Sequence, residues 1–371
     1  MGISLPYRIL IGGGGTGGHV FPAIAIADAL KKENPDMEFL FVGALGRLEM
    51  EKVPEAGYTI EGLPVAGFQR RLTLKNLSFF YKLLVSMRSS RRIVKRFDPH
   101  VAVGVGGYAS GPILKAAARK GVPLLIQEQN SYAGVTNRLL ARSAITICVA
   151  YEKMDRYFPE QKIVLTGNPV RKEMVELQSD QEAARKEFGL VEGPKVCLVV
   201  GGSLGARTIN HSFMEGLEKL GQSNMQVLWQ CGKYYQQEVE EKVRSSGFNQ
   251  IRVFPFISRM DLAYGIADVI VSRAGAISIS ELCLVGKPVI LVPSPNVAED
   301  HQTRNAEALV SHQAAKMVPD SQAGELLVDE MLWLMDHREE QLSLSEHIKQ
   351  LGIKDASQRI AAEVIKIIEQ Q

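Results

Sequence analysis

The sequence predicts an α/β protein built of two doubly wound, Rossmann-like domains. Three observations predict it. Short apolar runs alternate with helix-patterned stretches through most of the 371 residues, which is the mark of βαβ units and a parallel sheet. Several runs end in glycine-rich turns, at 12–18, 104–111 and 201–205. The order of strand, glycine turn and helix also begins afresh at Lys195. At roughly 150 residues per domain, the length allows two.

In the first half, residues 7–11 form a β run that ends in the glycine turn. Residues 21–32 then read as a helix with Pro22 tolerated in its first turn. Further strands are expected at 38–42, 101–105, 124–127, 145–149 and 163–166. In the second half they are expected at 195–200, 226–230, 251–254, 268–272 and 288–292. Gly167-Asn168-Pro169-Val170-Arg171 breaks the pattern and marks a hinge. The expected domains are 1–168 and 169–350. An amphipathic helix over 351–371, with Ile360, Val364, Ile365 and Ile368 on one side, is expected to return to the first domain.

Composition narrows the class. With 46% hydrophobic and 23% charged residues, the chain is neither disordered, collagen-like nor a coiled-coil rod. Forty-three basic and 41 acidic residues leave a net charge of +2, so no general nucleic-acid binder is expected. Cys148, Cys197, Cys231 and Cys283 form no Cys-x-x-Cys pair, which fits buried thiols in a reducing compartment. No apolar run approaches the ~18 residues of a membrane span, and residues 1–8 hold no signal-peptide core. A cytoplasmic protein that meets a membrane only from its surface is expected.

The first turn can be read as Gly-x-Gly-x-x-Gly through Gly12, Gly14 and Gly17. A dinucleotide site also wants an acid at the end of the second strand, and Phe41-Val42-Gly43-Ala44 has none. A P-loop wants Gly-Lys-Ser/Thr, but His19 follows Gly18. Six glycines in seven positions exceed what a bare turn needs. They let a ligand approach the backbone at a helix N-terminus, where negative charge is favoured. His19, at the carboxyl end of the first strand, is a candidate general base or an exposed helix-end histidine. The turn at 201–206 offers amides and the Ser203 hydroxyl to a phosphate. Ser278-x-x-Glu281 is either a capping box or a place where Glu281 accepts the hydroxyls of a ribose. No Asp-x-Asp and no paired histidine ligands occur, so no metal and no cofactor are expected.

Between residues 62 and 97 there is no acid but nine bases: Arg70, Arg71, Lys75, Lys82, Arg88, Arg91, Arg92, Lys95 and Arg96. On a helix, Leu77, Phe80, Tyr81 and Leu84 make one stripe that a core can use. Phe79, Leu83 and Met87 fall on another flank. A spare apolar flank among bases suggests an anionic membrane surface over residues 74–96. The alternative is packing between domains.

Six motifs together resemble one family. They are residues 14–22 (GGTGGHVFP), 106–112 (GGYASGP), 127–130 (QEQN), 167–171 (GNPVR), 201–207 (GGSLGAR) and 273–276 (RAGA). In order, and with no large insertion from Arg8 to Ala361, they resemble the MurG family of bacterial glycosyltransferases, family 28. The resemblance implies a GT-B fold of two domains facing a cleft. It implies inverting transfer of N-acetylglucosamine from UDP-N-acetylglucosamine to the 4-hydroxyl of lipid-linked N-acetylmuramoyl-pentapeptide (lipid I), giving lipid II.

The resemblance also assigns roles. Thr16, Gly17 and Gly18 lie at the sugar and diphosphate, Asn130 at the donor sugar, and Arg171 and Ser203 at the diphosphate. Ile257 holds uracil through its backbone. Ala276, Ile277, Ser278, Ile279, Ser280 and Glu281 bind diphosphate and ribose, and Gln302 reaches sugar hydroxyls. His19 is the candidate base. The implied partners are UDP-N-acetylglucosamine, lipid I, inner-leaflet anionic phospholipid and other cell-wall synthesis proteins, at the cytoplasmic face of the inner membrane. A UDP-N-acetylglucosamine 2-epimerase of the same fold is the main rival. A nicotinamide-dependent dehydrogenase and a nucleotide-sensing module are the others.

Overall fold

The computed structural model describes residues 6–65, 75–171, 174, 180–202 and 204–371. The chain divides into two compact units, Met1–Arg171 with Asp355–Gln371, and Lys172–Lys354.

The first unit contains β1 (Arg8–Gly12), α1 (Gly17–Glu33), β2 (Glu38–Ala44), α2 (Glu49–Glu55), β3 (Thr59–Leu63), α3 (Lys75–Phe97), β4 (Val101–Gly104), α4 (Ser110–Arg119), β5 (Leu124–Glu128), α5 (Val135–Leu140), β6 (Thr146–Val149) and β7 (Ile163–Leu165). The second contains α6 (Gln181–Phe188), β8 (Lys195–Val200), α7 (Arg207–Glu215), α8 (Leu217–Gln222), β9 (Met225–Gln230), α9 (Gln236–Ser246), β10 (Ile251–Phe254), α10 (Met260–Ile266), β11 (Val269–Ser272), α11 (Ala276–Val285), β12 (Val289–Leu291), α12 (His301–Val310), β13 (Lys316–Met317), α13 (Ala323–Asp336) and α14 (Arg338–Gln350). The last helix, α15 (Ala356–Glu369), belongs to the first unit.

Among the described residues the first sheet has the order β3-β2-β1-β4-β5-β6-β7 and the second β10-β9-β8-β11-β12-β13. Every pairing is parallel. Alternate residues feed opposite faces. Ile9 and Ile11 pack with α1 and α15, while Leu10 packs with Ile113 and Leu114 of α4. Both faces are therefore covered, which is why the central strands read as unbroken apolar runs. The edge strands β3 and β13 escape that signal. β3 is buried only at Leu63, and β13 is two residues long.

In each sheet the chain order reverses once, between β1 and β4 and between β8 and β11. The crevice at the carboxyl end of those strands is where open α/β sheets bind ligands. The glycine turns follow β1, β4 and β8.

Helix α1 starts at Gly17, four residues before the expected Phe21. Pro22 therefore stands in the second turn, where its missing N–H leaves the Gly18 carbonyl without its helical donor. The C-terminal segment is also shorter than expected, because α14 ends at Gln350 and α15 begins at Ala356. Ile360, Ala361, Val364, Ile367 and Ile368 of α15 are buried against Ile26, Ala27 and Leu30 of α1. Ile365 packs only at the margin of this cluster.

Helix α3 corrects a sequence expectation. Tyr81 and Leu84, expected to face the core, are 70% and 59% exposed. Their stripe continues into Arg88, Arg91 and Lys95, all exposed. The buried stripe is Ser86, Ser90, Ile93 and Val94, whose small serines let α4 come close. Leu83 and Met87 border it and line a groove of about 450 Å³ with Tyr108, Pro112, Leu139 and Leu140. Only the backbone of residues 75–80 is described, so the expectations for Lys75, Leu77, Phe79 and Phe80 lie outside the described side chains, as do Arg70, Arg71 and Leu74 altogether.

The four cysteines are buried. Burial pushes the thiols of Cys148 and Cys197 far up, Cys231 to about 11 and Cys283 to about 12. They stay protonated and pack as small apolar groups.

Candidate active site

At the carboxyl edge of the first sheet the glycine turn spends most of its amides inside the protein. Gly13 N–H donates to the Val42 carbonyl (3.1 Å), Gly14 N–H to the Gly106 carbonyl (3.3 Å), and Gly15 N–H to Glu49 Oε2 (2.8 Å). Gly14 has φ +136°, and a Cβ on it would lie 2.3 Å from Glu49 Cδ. A Cβ on Gly107 would lie 2.0 Å from the Gly14 carbonyl oxygen. The glycines thus serve the close approach of two loops and a carboxylate. What remains for a ligand is the first turn of α1, where Gly17 and Gly18 have no helical carbonyl to bond. Thr16 is the extended residue before the helix, and its Oγ1 lies 3.1 Å from His19 Nδ1. The far edge of the His19 ring lies about where a Cβ on Gly106 would reach it, at 2.9–3.0 Å. The imidazole is thereby seated between the turns that follow β1 and β4.

The 127–130 and 167–171 motifs lock together beside these turns. Gln127 Nε2 donates to Asn168 Oδ1 (2.9 Å), and Asn168 Nδ2 donates to the Gln129 carbonyl (3.0 Å). Gln129 Nε2 donates to the Val105 carbonyl (2.7 Å), tying the group to the β4 turn. Glu128 is buried, and burial pushes its carboxyl up. Donors from Asn130, Gly134 and Asn137 pull the other way. The Asn130 amide nitrogen itself donates to Glu128 Oε1 (3.3 Å). Arg171 ends the unit and is exposed.

At the carboxyl edge of the second sheet, α11 begins at Ala276 with Gly275 as the preceding cap residue. Ser278 is then the third helical residue, and Glu281 lies in the second turn. The capping-box alternative is excluded, because a box needs Ser278 outside the helix. The first-turn amides of Ala276, Ile277 and Ser278 face the edge, whereas Ile279 N–H already bonds the Gly275 carbonyl (2.9 Å). Ser280 Oγ donates back to the Ala276 carbonyl (3.1 Å), and Glu281 is 5% exposed. Ile257 N–H donates to Gln230 Oε1 (2.9 Å), so its carbonyl is the backbone group left for a base. Gln302 Oε1 accepts from Ser294 N–H (2.8 Å), which leaves its Nε2 as a donor. Ser203 lies outside the described residues. Asp320 joins the β11–α11 turn to the start of α7: it ion-pairs Arg273 and accepts from Thr208 Oγ1 (2.9 Å).

Two domain families match the chain. The glycosyltransferase family 28 N-terminal domain matches residues 9–149, and the family 28 C-terminal domain matches residues 196–360. The UDP-N-acetylglucosamine--N-acetylmuramyl-(pentapeptide) pyrophosphoryl-undecaprenol N-acetylglucosamine transferase of Phocaeicola vulgatus is 55% identical over 97% of this chain and 96% of its own. The protein of the same name from Cytophaga hutchinsonii is 55% identical over 98% and 97%. The chain belongs to glycosyltransferase family 28. A crystal structure of Acinetobacter baumannii MurG superposes with a TM-score of 0.80 at 28% identity, over 97% of this family 28 chain and 100% of that one. A UDP-N-acetylglucosamine 2-epimerase from Neisseria meningitidis superposes at 0.68 with 16% identity, over 97% and 100%, and shares the fold alone.

Sequence reasoning missed part of this family 28 site. The end of β2 itself carries no acid. Glu49, five residues beyond Ala44, supplies one from α2, and it binds the turn instead of a ribose. Glu128, Gln129 and Asn168 were visible as motif members, but their hydrogen bonds to one another were not. Among the described residues no group of three or more His, Cys, Asp or Glu is placed to hold a metal ion.

Proposed function

We propose that this family 28 chain transfers N-acetylglucosamine, with inversion, from UDP-N-acetylglucosamine to the 4-hydroxyl of lipid-linked N-acetylmuramoyl-pentapeptide, giving lipid II for peptidoglycan synthesis. The observation that carries the reading is the 55% identity, over 97% of the chain, to an enzyme named for that transfer.

In this reading the acceptor hydroxyl attacks the anomeric carbon as UDP departs, and a single displacement inverts the centre. His19 takes the hydroxyl proton. The departing diphosphate meets the first-turn amides of Ala276, Ile277 and Ser278, with the positive end of the α11 dipole behind them. Arg171 and Ser203 add charge and a hydroxyl. Glu281 accepts from the ribose, the Ile257 carbonyl from uracil, and Asn130, Thr16 and Gln302 serve the sugar. Gly17 and Gly18 allow close approach of the sugar and diphosphate. The second unit then carries the nucleotide and the first unit the acceptor.

The lipid anchor of the acceptor implies a membrane partner. Leu83, Leu84, Tyr81, Tyr108 and Leu139 are exposed apolar side chains on the first unit, with exposed Lys82, Arg88, Arg92, Lys115 and Arg119 near them in α3 and α4. That combination fits peripheral attachment to anionic phospholipid at the cytoplasmic face of the inner membrane. Among the described residues no helix is long and apolar enough to cross a membrane.

The test is incubation with labelled UDP-N-acetylglucosamine, with and without a short-chain lipid I analogue. Disaccharide product only with acceptor is expected. Conversion of the sugar nucleotide without acceptor, and no disaccharide with it, supports the epimerase reading instead.

A further inference from the structure

Glu49 is 2% exposed, yet its neighbours on α2, Glu51 and Glu55, pair with Lys52 at the surface. Both of its oxygens rest on backbone amides from different segments. Oε1 accepts from Ala44 N–H at 2.8 Å, at the end of β2. Oε2 accepts from Gly15 N–H at 2.8 Å, within the glycine turn. Two absent side chains make room for it. A Cβ on Gly14 would stand 2.3 Å from its Cδ, and one on Gly43 2.4 Å from its Cγ.

A buried carboxylate is costly to desolvate, and an apolar residue would close this corner at less expense. What the carboxylate adds is a pair of acceptors that hold the turn to the sheet. Gly15 has φ +98°, which glycine reaches without steric cost, so the bond of its amide to Glu49 is what fixes the turn to the sheet here. The next residue is Thr16, whose hydroxyl bonds His19. We propose that Glu49 is a positioning residue: by holding the Gly15 amide it sets Thr16 and His19 for removal of the acceptor proton. The inference rests on the transferase reading above.

Three measurements test it. In Glu49→Gln, which keeps size and shape, hydrogen exchange of the turn at Gly15 should accelerate at least about tenfold, because an amide presents one acceptor where the carboxylate presents two. The same variant should lose about 30-fold in kcat, while KM for UDP-N-acetylglucosamine stays within twofold. In a His19→Ala background, Glu49→Gln should cost kcat less than twofold more, since its effect passes through the imidazole. Gly43→Ala, which crowds the carboxylate from β2, should reproduce the kcat loss and keeps the test open if Glu49→Gln folds poorly. A folded Glu49→Gln with kcat within twofold of the parent overturns the proposal. So does a full additional loss in the His19→Ala background, which would mark Glu49 as a structural group only. Absence of transfer by the unaltered chain would sink the functional reading, whereas unchanged exchange at Gly15 in Glu49→Gln would sink the proposal by itself.

Discussion

The Thr16 hydroxyl oxygen lies 3.1 Å from Nδ1 of His19. If Nδ1 carries the proton and donates to Oγ1, then Nε2 presents a lone pair, which is what a general base requires. If the hydroxyl donates instead, Nε2 carries the proton and cannot accept another. The proposed role of His19 as base needs the first arrangement. Thr16→Ser should therefore keep most of kcat, while Thr16→Val, equal in size, should lower it by about tenfold or more, the share of a general base left poorly oriented. Equal rates for the two variants would show that the hydroxyl does not set the tautomer.

Glu281→Ala should weaken the donor more than the fold. Glu281 sits in the second turn of α11, too far inside to cap it, so the ~1 kcal/mol of a lost cap is not expected. Hydrogen bonds from a ribose to a carboxylate are worth about 1.5–3 kcal/mol, or roughly 10- to 150-fold in donor KM. A deoxyribose donor should lose its penalty in the variant. A lower melting temperature with unchanged KM would reassign Glu281 to the fold.

Transfer should persist in excess EDTA. The sequence has no Asp-x-Asp, and in the proposed mechanism the first-turn amides of α11 meet the diphosphate in place of a cation. Complete loss in EDTA, restored by a single divalent ion, would require ligands that this reading does not assign.

The α15 helix should behave as core of the first unit. Ile360 is fully buried, and trimming such a side chain costs about 2–5 kcal/mol. Ile360→Ala should melt well below the parent, and Ile365→Ala, at the margin of the cluster, much less so. Similar melting of the two would contradict the packing of α15 on α1.

Legibility followed burial. Lys195–Val200 has the bounds that its apolar run predicts, because it is central in its sheet and neighbours cover it. Ile251–Phe254 also has the predicted bounds, although it is an edge strand buried only at Ile251. Thr59–Leu63 sits at an edge, where side chains need not be apolar. The glycine turns were legible because close backbone approach leaves only glycine. Glu49 was not, since its partners lie five and 34 residues away and only the β2–α2 connection brings them together. The inward face of α3 is not legible in the sequence for a related reason. A helical wheel orders the stripes, but the small pair Ser86 and Ser90, packed near α4, decides which stripe turns inward.

The inward turn of Ser86 and Ser90 decides which α3 side chains can report the proposed membrane attachment. Leu83 and Met87 line the groove beside α4, so altering them mixes packing with surface effects. Leu84 and Leu139 are 59% and 75% exposed, and their replacement by Ser should leave melting within a degree or two. Each base near an anionic surface contributes about 1 kcal/mol, and salt screens it within a length of roughly 8 Å at physiological strength. Apolar insertion adds about 25 cal/mol per Å² and is not screened. The chain should therefore sediment with anionic vesicles at low salt and weakly with neutral ones. The Leu84→Ser, Leu139→Ser pair should cut the binding that survives at high salt, and with it activity on a long-chain acceptor. Activity on a short, water-soluble acceptor should hold, because neither residue lies among those assigned to the donor or to His19. Replacing Lys82, Arg88 and Arg92 by Gln should do the reverse, removing the low-salt binding and leaving the residue that salt does not touch. If both sets sediment like the parent, the surface that meets the membrane is not this one.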